Sequence, residues 1–138
     1  MGERAQAIII RNNKMLFGYG KILGELRHFF IGGRIEVGES SSETVLRELR
    51  EEANVDGNII FKFTNELQAN HHTFLVDIGE AEVSLGYDPE EMYLPQEELS
   101  LKGLKWIDLE NNYMFTDIDK EYFSLLMTEC DRIGYDPS

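Results

Sequence analysis

Between Ser40 and Asn54 the chain carries a helix whose two ends are both written in the sequence. Ser40 is a good N-cap, and Glu43, three residues on, completes a capping box. Asn54 is a residue that tolerates the left-handed backbone at which helices stop. The spacing predicts a helix over 41–53. At about 100° per residue, Val45, Leu46, Leu49 and Ala53 share one arc of the helix, and Glu48, Glu51 and Glu52 fall in the neighbouring arc of roughly 100°. One face therefore needs a sheet to pack on, while its neighbour gathers three carboxylates.

The strands for that packing are legible on both sides of the helix. Ala5 to Arg11 is apolar and Ile-rich, Asn12-Asn13 reads as a tight turn, and Lys14 to Tyr19 reads as the returning strand. Gly20 to Arg27, with two glycines and several charges, reads as a loop. His28 to Ile31 is a short apolar run ended by Gly32-Gly33, and Arg34 to Val37 a brief extended piece. Asn58 to Asn65, His72 to Ile78 and Gly103 to Leu109 read as further strands from their β-branched and aromatic content. Tyr87 to Ser100 is acidic, holds Pro89 and Pro95, and reads as a loop. Asp117 to Arg132 has helical apolar spacing, with Asp117 or Asp119 near its cap. Strands lying between two helices predict an α/β (α+β) fold, a sandwich around a mixed sheet. At 138 residues without repeat or linker, a single domain over 1–138 is expected.

Charge narrows the partners. The chain carries 26 acidic and 13 basic residues, a net charge of −13, which argues against a nucleic-acid polymer. It does not exclude a small phosphorylated molecule, because divalent cations reverse the local sign. No apolar run approaches a membrane span, the first residues lack a secretory pattern, and Cys130 is the lone cysteine. The expectation is a cytoplasmic protein with no membrane partner.

The carboxylate arc needs an explanation. Two carboxylates about 6 Å apart repel by about 3 kcal/mol at an effective dielectric of about 20. Three glutamates on a helix are often no more than a solvated face, relieved by water, protons or basic neighbours. A hard divalent cation relieves them better, since magnesium and calcium take oxygen ligands. The glutamates also stand in a longer pattern. Gly33 is followed after five residues by Glu39, and after seven more by Arg47-Glu48-Leu49, then Arg50, Glu51-Glu52, Ala53, Asn54 and Val55.

This run resembles the signature box of the Nudix (MutT-like) hydrolases, G-x5-E-x7-R-E-U-x-E-E-x-G-U with U aliphatic. Six of seven fixed residues and both aliphatic positions match. Asn54 replaces the last glycine, a substitution that a left-handed helix end accepts. Ile31 stands where many relatives have proline. The resemblance covers about a sixth of the chain directly and implies a Nudix-type α/β/α sandwich and a Mg2+-dependent hydrolase, with Mn2+ as a substitute ion.

The site residues follow from the same resemblance. Glu48, Glu51, Glu52 and Arg47 are the implied catalytic set. Glu51 and Glu52 are implied metal ligands, and Glu48 a third ligand or the group that handles the attacking water. The Gly32 carbonyl would add a ligand. Arg47 and Glu39 would form an ion pair steadying loop against helix. A late acidic ligand would come from the loop before Trp106, where Glu98 is the choice over Glu90, Glu91 and Glu97. Other residues read more plainly. Adjacent strand residues point to opposite faces, so His71 and His72 do not share an ion and are given no catalytic duty. Arg27 and His28 are open between phosphate contacts and ordinary surface. Trp106 is read as core, and Cys130, beside acidic residues, as unreactive.

The implied substrate is a small nucleoside diphosphate linked to another moiety: a nucleoside triphosphate, an oxidised nucleotide, a nucleotide sugar or similar. The downstream signatures for ADP-ribose and for dinucleoside polyphosphates are missing near Asn70 to His72, as is the coenzyme A signature before the box. A nucleotide sensor using the same fold without turnover is the alternative, although such modules usually lose box glutamates. A metal-binding structural protein explains the acidity but not the glycine and arginine spacing. Many relatives form homodimers, and the sequence leaves that open.

Overall fold

The computed structural model describes residues 2–86 and 103–138. The expected acidic loop from Tyr87 to Ser100, with Glu90, Glu91, Glu97 and Glu98, lies outside the described residues. Strand β1 spans Arg4–Ile8 and a break at Ile9 separates it from β2, Ile10–Arg11. Asn12 and Asn13, at φ 52° and 61°, make the expected turn into β3, Lys14–Ile22. There follow β4 (Glu25–Phe29), β5 (Ile31–Arg34), α1 (Ser41–Ala53), β6 (Asn58–Lys62), β7 (His71–Asp77), β8 (Gly103–Asp108) and α2 (Asp117–Ile133).

One sheet has the order β5-β1-β7-β6. It is mixed, because β1 runs parallel to β7 while the other pairs are antiparallel. In the second sheet β3 pairs with β2, β4 and β8, all antiparallel. Alternation along the strands of the first sheet divides the core. Ala5, Ala7, Phe74 and Val76 pack with Val45, Leu49 and Ala53 of α1. Ile8 and Leu75 pack with Tyr122, Leu126 and Cys130 of α2, beside Phe17 and Phe30. The sheet is thus covered by α1 on one face and α2 on the other, as the sandwich requires. Leu49 and Leu126 are fully buried, and each such side chain stabilises the fold by about 1.5–3 kcal/mol.

Helix α1 has the predicted bounds and caps. Ser40 accepts from the Glu43 N–H, Glu43 returns the bond to the Ser40 N–H, and Asn54 is left-handed at φ 56°. Three sequence expectations change. The loop expected at 20–27 is a hairpin: β3 runs on to Ile22, Leu23 and Gly24 turn at φ 53° and 82°, and Glu25 begins β4 in register with Ile22. Its glycine and charges suit a ribbon whose arms support each other by backbone pairing rather than by burial. Gly32-Gly33 does not end a strand but lies within β5, where a Cβ at Gly32 would run into the backbone of β1 at Ala5 and Gln6. Helix α2 is capped by Thr116, with Asp119 as its capping-box partner.

Candidate active site

Helix α1 sets its carboxylates against the edge strand β5. The capping box orients the first turn, and the buried arc fixes the rotation of the helix, which turns Glu48, Glu51 and Glu52 toward a cleft of about 1590 Å³. The contact is close: a methyl group added at Gly33 would run into the Glu48 carboxylate. The first glycine of the box therefore leaves room for the Glu48 carboxylate in this position.

Arg47 organises this wall. Its Nε and Nη2 donate to the two oxygens of Glu39, at 2.7 and 3.0 Å. Its Nη1 donates to Glu48 at 3.0 Å and to Glu51 at 3.1 Å, and Nη2 also reaches the Arg34 carbonyl at 3.2 Å. The expected Arg47–Glu39 pair is present, and it is the forked half of a larger cluster. Glu39 also accepts from the Thr44 hydroxyl and the Glu36 N–H. The Arg47 guanidinium holds the Glu39 carboxyl down to about 2, and the carboxylates in turn push Arg47 up. Loop and helix are locked as a unit.

Glu52 differs from its neighbours. It is buried, at 9% exposure. Burial is the main cause that pushes its carboxyl well above the usual range, and a hydrogen bond and charge repulsion from Glu48 add to it. A hydrogen bond from the Gly32 backbone and the charge of Arg4 favour the ionised form but do not outweigh the burial. In the absence of a cation, Glu48 and Glu52 thus crowd an oxygen-rich corner in which a proton relieves the repulsion. The donor set is all oxygen, which suits a hard divalent ion.

The facing wall is assembled from distant segments. Arg4 and Gln6 come from β1, His71 from β7, Gln68 from the loop before it, His28 from β4 and Asp119 from α2. The Gln6 amide nitrogen lies 3.0 Å from Thr73 Oγ1, 3.2 Å from Tyr122 Oη and 3.3 Å from Gln68 Oε1. Tyr122 Oη donates to Gln68 Oε1 at 3.0 Å. His28 Nε2 sits 2.8 Å from Asp119 Oδ2, with the Phe17 ring against the imidazole. None of Arg4, Gln6, Gln68 or Asp119 carries a spacing signal that would have marked it in the sequence.

The remaining sequence candidates fall as follows. Arg27 lines the cleft but is exposed and paired with Glu25. Residues His71 and His72 do diverge: His71 enters the cleft, while His72 bonds Glu3 at 3.1 Å. Glu3, Glu66 and His72 bring ligand atoms within 4.8 Å of one another, although both glutamates are exposed. Trp106 packs against the α1-side core with the Arg11 guanidinium 4.8 Å from its ring. Burial and acidic neighbours raise the Cys130 thiol, which makes it a poor nucleophile. No helix among the described residues is long and apolar enough to cross a membrane.

Comparisons with known proteins agree with this architecture. No curated protein sequence matches the chain. Solved structures do. An Ap4A hydrolase from C. elegans is 16% identical, with a TM-score of 0.62 over 94% of this chain and 99% of that one. A NUDIX-family hydrolase from Clostridium perfringens is 18% identical, with a TM-score of 0.60 over 91% and 97%. A MutT structure from work on Aliivibrio salmonicida and Vibrio cholerae is 13% identical, with a TM-score of 0.58 over 93% and 98%. At these identities the likeness is one of fold. The family is shown separately, because the family model described as the NUDIX domain matches residues 1–127. The chain therefore belongs to the Nudix family, hydrolases that act on pyrophosphate bonds in nucleoside diphosphates linked to another moiety.

Proposed function

We propose that this protein hydrolyses the diphosphate linkage of a small nucleotide, using Mg2+ (with Mn2+ as a substitute) held by Glu51 and Glu52, with Glu48 handling the attacking water. The observation that carries the reading is the pair of mutually repelling carboxylates, buried Glu52 and half-buried Glu48, on a cleft large enough for a nucleotide. The Gly32 carbonyl and Glu98 are the further ligands of this reading. A bound divalent ion would neutralise the phosphate oxygens and acidify a water. The protein's own residues do the rest. Arg47 keeps Glu48 and Glu51 from turning away. Glu48, which lines the cleft, accepts the proton of the water that attacks phosphorus. The bond broken is the one from that phosphorus to the bridging oxygen, which leaves with the second phosphoryl group. The Gln6 and His28–Asp119 side of the cleft offers hydrogen-bonding groups for the nucleoside.

The test is turnover of nucleoside triphosphates, nucleotide sugars, ADP-ribose and dinucleoside polyphosphates with magnesium, repeated with chelator and with Glu52→Gln. Loss of at least about 100-fold in kcat with either is expected. Turnover that survives Glu52→Gln with the fold intact overturns the site assignment. A panel without turnover, in which one nucleotide raises the Tm, supports a sensor instead.

A further inference from the structure

The cleft face of the first sheet carries an unusual row. Arg34 on β5 lies directly opposite Arg4 on β1, and Arg4 lies opposite His71 on β7. Cross-strand partners project from the same face with Cβ atoms about 4.5–5.5 Å apart. All three residues line the cleft. The next row inward is Gly32, Gln6 and Thr73, and it is polar and neutral. Like charges placed directly opposite in a sheet destabilise it, so the outer row needs a reason.

The other arginines sharpen the point. Arg27, Arg47, Arg50 and Arg132 each bond a carboxylate, and Arg11 bonds two backbone carbonyls. Arg4 and Arg34 have no side-chain hydrogen bond or ion pair among the described residues. This holds in a chain with 26 acidic residues against 13 basic ones. Among the described residues the two arginines that form neither an ion pair nor a side-chain hydrogen bond are the two that face each other, beside the box carboxylates, where the charge of Arg4 also favours ionised Glu52. His71 Nδ1 faces the Ala69 carbonyl at 2.9 Å, which leaves Nε2 as the ring nitrogen for another partner.

We propose that Arg4 and Arg34, flanked by His71, form an anion subsite for a terminal phosphate of the substrate. The proposal rests on the hydrolase reading for its biological use, and it deepens that reading by naming a substrate class. Two guanidiniums side by side match the double charge of a phosphate monoester end. A diphosphate esterified at both ends, as in a nucleotide sugar or a dinucleotide, presents only singly charged phosphates. The row therefore selects nucleoside triphosphates, or other molecules ending in a free phosphate, over doubly esterified diphosphates.

Two measurements test it. In the first, inorganic tripolyphosphate is titrated into the protein with magnesium, followed by calorimetry and by Tm. The wild type should bind, and R4Q/R34Q should bind at least about tenfold more weakly. The lysine pair R4K/R34K should recover part of the loss. The Tm of each variant without tripolyphosphate is the control for folding. In the second, kcat/KM is compared for a nucleoside triphosphate and a nucleoside diphosphate sugar. The ratio should fall at least about tenfold in R4Q/R34Q. Unchanged tripolyphosphate binding, or an equal loss on both substrates, overturns the subsite. Binding that depends on Arg4 and Arg34 without any hydrolysis would keep the subsite and sink the hydrolase reading. Glu52-dependent hydrolysis with an unchanged ratio would do the reverse.

Discussion

The two walls of the cleft are built in opposite ways. The box wall comes from one continuous stretch, Glu39 to Glu52, tied by Arg47 and capped at both ends of α1. The facing wall draws Arg4, Gln6, His28, His71 and Asp119 from β1, β4, β7 and α2. Both helices begin with a capping box, yet the partner residue does different work in each. Glu43 of α1 is exposed and only caps, while Asp119 of α2 is buried and also holds His28. The carboxylates thus sit where geometry is local, and the facing polar groups sit where geometry depends on the whole fold.

The largest effect should come from the box wall. Arg47→Ala leaves Glu39, Glu48 and Glu51 without their shared cation. Hydrogen bonds to charged groups are each worth about 1.5–3 kcal/mol, discounted here for solvent screening because Arg47 is a quarter exposed, at 24%. A loss near 3 kcal/mol in denaturant unfolding is expected, partly restored by magnesium. A loss under about 1 kcal/mol would mean that the wall is not a locked unit.

The facing wall should yield less per residue, because its bonds are redundant. Gln6→Leu removes three contacts, but Thr73 and Tyr122 still bond each other and Tyr122 still bonds Gln68. A cost of about 1–2 kcal/mol is expected, while Tyr122→Phe should cost about 1–3 kcal/mol. Equal losses of 4 kcal/mol or more, roughly the buried-charge range, would erase the contrast between the walls.

Protons separate the walls further. The Glu52 carboxyl is raised, so its contribution to the stability of the metal-free protein is fully present below the ordinary value of 4.5. It is lost as pH rises through the raised value. Melting with chelator should therefore show stability falling over that rise, and the Tm gain from magnesium should grow with pH. Glu52→Gln should flatten both trends. A magnesium effect independent of pH would show that the ion binds elsewhere.

The smallest effect lies at the acid end. Glu39 is lowered to about 2, so its contribution is present above 4.5 and lost as pH falls through 2. Glu39→Gln should shallow the acid-unfolding limb in that window, and an unchanged limb would show that the Arg47 pairing does not set it.

Much of the box wall was readable before folding was considered. Ser40, Glu43 and Asn54 bounded α1 because caps act within a few residues of the chain. The resemblance carried by the Gly33–Glu39–Arg47 spacing implied the Arg47–Glu39 pair, which the structure contains. The hairpin at β3–β4 escaped, since its arms are held by backbone pairing that a polar, glycine-containing sequence does not advertise. Thr116 was passed over as the α2 cap because two aspartates follow it.

By itself, then, the sequence determined the helix, its carboxylate arc, the arginine tie and the family to which they belong, all set by interactions a few residues apart. The tertiary structure alone decided that Arg4, Arg34 and His71 stand in one row and that Gln6 reaches Tyr122 across 116 positions of chain. Strand register and the parallel pairing of β1 with β7 come from burying both sheet faces at once. No local spacing encodes that requirement.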